Sequence, residues 1–379
     1  MLQNDIDFLI LGGGCSGLSL AYYLSFLPNN FNILIIENKL LYNNDKTWCG
    51  WRINNHAFLS CCKTFWYSFY FKKANPYYSI ITSSIPYENI RSIFFYKKVL
   101  NRIQNIYNIK SYNNKIINIK EYNGYVAVKL TNGKYKNARW VLDTTPKPIN
   151  FSSYSPWKYQ TFFGIELYST KNFKFFSTPY LMNFYINKYL QYNQVNFIYI
   201  LPLKTNNFLF EWTIFFSKDV FFIKTLFKFY LNLQIGKSNY QILREETGHI
   251  PMAYITNKTT LKNLAQIYGC YIRTSNGFSF HEIQKWAIKC AYNISINKKL
   301  ILPKISYFFI FLDYIFMKTI ELYPKISLLL LTNIFYKTNS DSLIYFFTNY
   351  YKFLDLLNIL FFIKPKFFLL YTIFLNLFN

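Results

Sequence analysis

Apolar and polar positions along this chain change period several times, and each change marks a different kind of element. A continuous apolar run, Ile6 to Leu11, is followed at once by Gly12-Gly13-Gly14-Cys15-Ser16-Gly17. Leu18 to Leu24 then reads as helix, and a second apolar run, Ile33 to Ile36, ends on Glu37. Short continuous apolar runs suit strands buried on both faces, as in a parallel sheet. Lys115–Lys120, Tyr125–Leu130 and Lys134–Asp143 alternate instead, and Asn123-Gly124 and Asn132-Gly133 divide them. Asn-Gly between alternating runs marks a tight hairpin, so a three-stranded meander is predicted here. Between 156 and 255 the strands are aromatic: Thr161–Leu167, Val195–Leu201 and Phe208–Phe216. They read as a separate sheet. Ile267 to Gln284 is turn-rich and runs into a helical segment, and from about Leu300 the pattern is helical and strongly apolar.

Strand, glycine turn, helix, strand and acidic residue, in that order, make a dinucleotide-binding unit. Gly12 allows the tight turn, Gly14 lets a pyrophosphate approach the backbone, and Gly17 lets the helix lie close to the strand. The phosphates sit at the positive end of the helix, and Glu37 is placed to accept hydrogen bonds from a ribose. A meander inserted into such a sheet, returning on a strand that ends at Asp143, is typical of large flavoproteins. At 379 residues the chain exceeds one ordinary core. The expected fold is α/β: a Rossmann-type FAD-binding domain with an inserted β-meander, a second, substrate-binding β-sheet domain, and a helical C-terminal region. The expected boundaries are 1–155 and 256–299 for FAD binding, 156–255 for the second sheet, and 300–379 for apolar helices that face a membrane.

Composition changes this picture in one respect. Lys and Arg number 42 against 17 Asp and Glu, a formal net charge of +25. The lysines are scattered singly and no nucleic-acid module is present, so no nucleic-acid partner is expected. A codon bias towards Lys, Asn, Ile, Phe and Tyr explains the charge, yet a basic protein is still drawn to anionic lipid. The cysteines (Cys15, Cys49, Cys61, Cys62, Cys270 and Cys290) form no C-x-x-C motif. His56, His249 and His281 are far apart in sequence, so no metal site is expected. The nucleotide unit begins almost at Met1, which argues against a signal peptide and for a reducing cytoplasm. Charges such as Asp313, Lys318, Glu321 and Lys325 interrupt the C-terminal apolar stretches. Peripheral, monotopic attachment to a membrane is therefore expected, and spanning is not.

The strand from Asn207 to Phe216 carries one carboxylate, Glu211, amid aromatic side chains. Desolvation would raise its pKa and keep it protonated near neutral pH, which makes a proton donor beside an apolar substrate. The other reading is an edge strand with Glu211 in water. Alternation puts Glu211 on one face with Leu209 and Thr213, and Phe208, Phe210 and Trp212 on the other. Period alone does not choose between the two readings.

Several blocks, in order, resemble the flavoprotein lycopene cyclases of bacteria and plants. Asp7 to Glu37 is similar to the family's flavin-binding unit, and Thr47-Trp48 to its Thr-Trp signature. Tyr159-Gln160-Thr161-Phe162-Phe163-Gly164-Ile165-Glu166 resembles its Gln-x-Phe/Tyr-x-Gly-x-Glu block. Leu181-Met182-Asn183-Phe184 resembles its Met-Asp-Phe/Trp block, and Tyr199-Ile200-Leu201-Pro202 its strand ending in Leu-Pro. Leu209-Phe210-Glu211-Trp212-Thr213 stands where the family has Leu-x-Glu-(Glu/Asp/Tyr)-Thr. Glu246-Thr247-Gly248-His249-Ile250-Pro251-Met252 and Arg273 to Phe280 match two further segments. Asn183 replaces an aspartate, Trp212 a second acid, and Thr274 and Asn276 a proline and a threonine; Gly269 alone remains of the glycines before that last segment.

The resemblance implies a lycopene beta-cyclase, which closes the ends of linear lycopene without net redox change. It implies Glu211 as the catalytic acid/base, and FAD in its reduced form with NAD(P)H as reductant. Gly12, Gly14, Gly17, Glu37 and Gly277 would hold the cofactor. Glu166, Phe208, Phe210 and Trp212 would bind substrate, the aromatic trio only if its face also meets the polyene. The alternatives are a related FAD-dependent hydroxylase or prenyl reductase, and a non-catalytic flavoprotein. Tyr268-Gly269-Cys270 offers glycine but no acid, which counts against hydroxylation.

Overall fold

A computed structural model describes residues 6–28, 31–72, 78–147, 149, 151, 157–170, 177–184, 194–216, 220–255, 263–297, 300–304 and 306–362. The first unit is β1 (Ile6–Leu11), α1 (Cys15–Leu24) and β2 (Ile33–Glu37). Next come β3 (Thr47–Trp51), β4 (Cys62–Lys72), β5 (Tyr78–Arg91), α2 (Ser92–Ile103) and β6 (Ile109–Asn113). The meander is β7 (Ile116–Tyr122), β8 (Tyr125–Leu130) and β9 (Tyr135–Asp143). Its turns use Gly124 and Gly133 at φ +89° and +80°, the left-handed conformation that a two-residue hairpin demands and glycine adopts freely.

β1, β2 and the strands from β6 to β9 form one seven-stranded sheet in the order β6-β2-β1-β9-β8-β7, with β15 (Leu264–Gln266) alongside β9. β1 runs parallel to β2 and β9, and its Phe8 to Leu11 are all buried. The continuous apolar run thus reflects burial on both faces, by α1, α2 and α4 (Phe280–Asn297) on one side and by the meander on the other.

The second sheet is built from β10 (Lys158–Ser169), β11 (Tyr180–Asn183), β12 (Asn196–Lys204), β13 (Asn207–Phe215) and β14 (Tyr240–Met252), with α3 (Val220–Ile235) on one face. Its eight-stranded order is β14-β10-β13-β12-β11-β4-β5-β3. Here the structure corrects the expected boundary at 155. The stretch read as a polar loop ends in β3, which pairs with β5, and β4 pairs with β5 and β11. Residues 47–91 therefore complete the second sheet. Pattern identifies strands, but which sheet a strand joins is a long-range choice that local periodicity does not carry.

The last elements are α5 (Tyr307–Leu322), α6 (Pro324–Lys337), α7 (Ser340–Phe347) and α8 (Phe353–Phe362); residues 363–379 of the expected helical region lie outside the described residues. These helices bury Met317, Ile320, Phe335 and Leu343 against Trp51, Phe69 and Phe71 of the second sheet. They are also tied to the turn before α4. Arg273 Nε donates to both oxygens of Asp313 at 2.9 and 2.7 Å, and Thr274 Oγ1 donates at 2.6 Å. Arg273 and Asp313 are both buried, and the guanidinium lies 3.9 Å from the Phe309 ring centre.

Removing one partner of a buried pair leaves the other charge uncompensated, at a cost of about 3–5 kcal/mol. Asp313→Ala should therefore lower stability by about that much in denaturant unfolding. Arg273→Met combined with Asp313→Leu should recover most of the loss. A single variant as stable as the wild type would remove this pair from the account of how the helices are held.

Candidate active site

Strand alternation divides β13 into two faces with different fates. Phe208, Phe210 and Trp212 point towards α3 and form a dry core with Phe163, Ile165, Phe227 and Leu231. The expected substrate role of these three aromatics is thus not met: the two-residue period that brings Glu211 to one side sends them to the other. Trp212 Nε1 donates to Asn196 Oδ1 at 3.2 Å, which satisfies its polar group inside that core.

Leu209 and Glu211 face the other way, into a cavity of ≈590 Å³, within the usual range for a ligand site. Its walls include Tyr87, Phe162, Tyr199, Leu201 and Phe278, with Trp48 and Phe280 beyond. The edge-strand reading of Glu211 fails because β13 lies between β10 and β12. Burial among these side chains, and next the negative charge of Glu246, push the Glu211 carboxyl up to about 8. Opposing but smaller effects come from Thr213, whose Oγ1 donates at 3.4 Å, and from Arg244 and Lys46. Burial and then the Glu211 charge raise the Tyr199 phenol, which stays neutral.

Gly164 explains how two carboxyls come so near. It is in register with Glu211 on one side and with Glu246 on the other. A Cβ at Gly164 would stand 3.0 Å from Glu246 Cγ and 3.4 Å from its Oε1. Arg244, two residues before Glu246 on the same face, donates to Glu246 Oε2 at 2.7 Å and to Glu166 Oε2 at 3.1 Å. Arg91 donates to both Glu166 oxygens at 3.0 and 2.8 Å. Glu166 therefore shares the face of Glu211 but does not line the cavity; two arginines occupy its carboxylate. Glu246 keeps Oε1 buried without a hydrogen-bond partner in the protein, and burial raises its pKa against the pull of Arg244. Glu246 and Arg244 are site residues beyond those expected from the sequence. The signal was present: in an acid-poor chain, alternation puts Arg244, Glu246 and Gly248 on one face of a single strand.

The glycine turn forms a separate feature at the ends of β1 and β2. Gly12 adopts φ +98°, and a Cβ on Gly17 would meet Gly12 O at 2.2 Å, so both positions require glycine. A Cβ on Gly14 would meet nothing within 4 Å, which leaves open space beside the start of α1. No side chain caps that helix and no acid lies in its first turn, so its free N–H groups suit an anion. Glu37 accepts from the Gly13 N–H and, at 2.8 Å, from the Lys39 N–H. Gly12, Gly14, Gly17 and Glu37 thus come together, whereas Gly277 (φ +77°) lies on the cavity wall just before α4.

His56 and His281, distant in sequence, meet on Glu88. Their Nε2 atoms lie 2.6 and 2.8 Å from the same Glu88 oxygen. The Phe58 N–H donates to His56 Nδ1 at 3.1 Å, so the proton of a neutral His56 ring sits on Nε2 and points at Glu88. A metal-binding histidine has the opposite arrangement, with its remote N–H donating outward. Burial favours the neutral acid, but hydrogen bonds from His281 and His56 outweigh it and hold Glu88 at about 2. The trio acts as a clamp between β5 and α4.

The lycopene cyclase protein family matches residues 7–305. No curated protein sequence matches the chain. Among solved structures, the fold is similar to a geranylgeranyl bacteriochlorophyll reductase-like protein from Thermoplasma acidophilum (TM-score 0.66, 13% identity, 95% of this chain and 96% of that one). It is also similar to p-nitrophenol 4-monooxygenase PnpA from Pseudomonas putida DLL-E4 (TM-score 0.60, 8% identity, 98% of each chain). A third is the halogenase PltM in complex with phloroglucinol and FAD (TM-score 0.56, 10% identity, 88% of this chain and 79% of that one). At such identities the likeness is one of fold. The family match spans both sheets, the glycine turn and the Glu211 cavity, and on that ground the chain belongs to the lycopene cyclase protein family.

Proposed function

We propose that the protein is a lycopene beta-cyclase, which closes the ends of linear lycopene to beta-rings, giving gamma-carotene and then beta-carotene. The observation that carries this reading is Glu211, a carboxyl raised to about 8 on the wall of a largely apolar cavity. Protonated Glu211 donates to the terminal double bond, whose electron pair takes the proton and leaves a tertiary cation. An internal double bond supplies the pair for the ring-closing bond. Loss of a neighbouring proton restores a double bond, and the Glu211 carboxylate can accept it. One proton enters and one leaves, so no oxidant or reductant is consumed. Tyr87, Phe162, Tyr199 and Phe278 offer aromatic faces to the passing cation, worth about 0.5–2 kcal/mol each.

The glycine turn fits FAD: Gly12, Gly14, Gly17 and the open start of α1 suit its pyrophosphate, Glu37 its ribose, and Gly277 the cavity end. In its reduced form, renewed by NAD(P)H, the flavin would supply negative charge or acid/base help near the cation. Membrane lipid is a fitting partner for so apolar a substrate. Among the described residues no helix is long and apolar enough to cross a membrane. Tyr307, Phe311, Leu329, Phe353 and Leu354 are nevertheless exposed on α5, α6 and α8, which supports peripheral association on the cytoplasmic side, assisted by the net positive charge.

Glu211→Gln should lower ring formation by about 100-fold or more while leaving flavin content unchanged. Glu211→Asp should retain weak activity. In lycopene-loaded liposomes the wild-type rate should hold below pH about 8 and fall as pH rises through it, because the acid form is then lost. Glu246→Gln removes a negative neighbour and should move that fall to lower pH. Pigment chromatography reads all four; substantial beta-carotene from Glu211→Gln would sink the role.

Gly14→Val puts a side chain into the open space at the start of α1. After incubation with excess FAD, the purified variant should lack the flavin absorbance that the wild type shows. Equal absorbance would remove this turn from the cofactor site. Fractionation tests the membrane: high salt should release only part of the protein and detergent all of it, whereas complete release by salt would leave charge as the sole anchor.

A further inference from the structure

A further cavity, of ≈420 Å³, lies between α4 and the start of α5. Its walls carry cations. Lys285 and Lys289 come from successive turns of α4, Lys304 from the segment before α5, and Arg273 from the turn before α4. Among the described residues none of these three lysines is in an ion pair; Lys285 Nζ rests over the Tyr350 ring, 4.5 Å from its centre. Glu282 is the carboxylate on this wall. Burial raises its pKa, against the pull of Lys285, His281, Arg273 and Lys289. The wall is therefore left with an excess of positive charge.

Two features make this excess a site for an oxygen anion. α5 begins here, because Ser306 and Phe309 line the cavity. Ser306 makes no capping bond and no acid stands in the first turn, so the free N–H groups and positive end of a 16-residue helix are open to a ligand. Arg273, meanwhile, is only 3% exposed, and its Nη2 is buried without a hydrogen-bond partner in the protein. Asp313 occupies Nε and Asn349 occupies Nη1. Asp313 thus offsets the charge of Arg273, which offers a donor while the lysines offer the charge. A buried donor left unpaired is costly, and an acceptor oxygen in this cavity is the partner it lacks.

The rim is apolar. Leu302, Tyr307 and Phe308 are exposed around the start of α5, and Ile288 and Tyr292 on α4. Lys285, Ile288, Lys289 and Tyr292 fall at i, i+3, i+4 and i+7, so cations and apolar side chains share one helical face. Tyr307 belongs to the surface proposed above to meet the membrane. A soluble anion gains nothing from such a rim, whereas acyl chains do.

We propose that this cavity binds the phosphate of an anionic phospholipid, whose acyl chains lie against Ile288, Tyr307 and Phe308. This rests on the reading of the protein as peripherally attached to a membrane. It fixes one orientation on the bilayer, with the outer face of α4 and the start of α5 towards the headgroups.

Binding of the whole chain to phosphatidylcholine vesicles, with and without phosphatidylglycerol, is measured by flotation. The anionic lipid should raise wild-type affinity by about 10-fold or more. Lys289→Gln combined with Lys304→Gln, both at exposed positions, should lose most of that gain. Its melting temperature and its binding to phosphatidylcholine alone should not change. Lys120→Gln combined with Lys134→Gln removes the same charge from exposed positions on the meander, and should cost less than about 3-fold. Equal losses in the two pairs show attraction by net charge alone and overturn the proposal. Saturable binding of inorganic phosphate or NADPH in calorimetry without vesicles, abolished by Lys289→Gln with Lys304→Gln, assigns the cavity to a soluble anion and also overturns it. A wild type that binds both kinds of vesicle equally removes the headgroup site alone, whereas one that binds neither removes the membrane reading with it.

Discussion

A carboxyl set in an apolar wall has to be paired with a cation or kept neutral, because an isolated buried charge is too costly. On the cavity side of the second sheet this constraint sorts three carboxyls into different states. Arg91 and Arg244 pair with Glu166, and Arg244 also holds one oxygen of Glu246. Among the described residues no arginine is bonded to Glu211, and burial, then the charge of Glu246, drives it towards its acid form against the weaker pull of Arg244. The single missing side chain at Gly164 makes the arrangement possible, since a Cβ there would press on Glu246. Acid strength in this site is thus set by strand register, through which residue faces which across β13, β10 and β14.

The remainder of the fold keeps that register and encloses it. α3 seals the opposite face with aromatic side chains. The turn from Arg273 to Phe278 closes the cavity and is itself gripped from both sides, by the C-terminal helices through Asp313 and Phe347 and by β5 through the His56–Glu88–His281 clamp at the start of α4. The C-terminal helices therefore touch the cavity's surroundings in two places, at this turn and on the sheet face they cover.

Much of this was legible in the chain because its strongest signals are local. The glycine turn, the first strand–helix–strand unit and the Asn-Gly meander each depend on neighbours within a few residues, and each appears as read. Glu211 was legible as a chemical oddity, one acid in an aromatic strand, and its face followed from period two. Whether that face met water or a cavity did not follow, since it depends on β10 and β12 flanking the strand. The same limit explains the misplaced aromatics, which are core because α3 covers them. It also explains residues 47–91, whose sheet is chosen by pairing with distant strands, and the meeting of His56 with His281, distant in sequence, on Glu88. The resemblance to a known family ordered the blocks but did not show which side chains touch.

Ring closure in this cavity turns on the protonation state of one carboxyl. Infrared difference spectroscopy, with pH stepped from 6 to about 9.5 and carboxyl carbons isotopically labelled, reads that state directly. A carboxylic acid band that persists at neutral pH, is lost as pH rises through about 8, and is absent from Glu211→Gln is the predicted result. A Glu211 already ionised at pH 6 would contradict it, since a carboxylate of ordinary acidity there could not serve as the proton donor in this cavity.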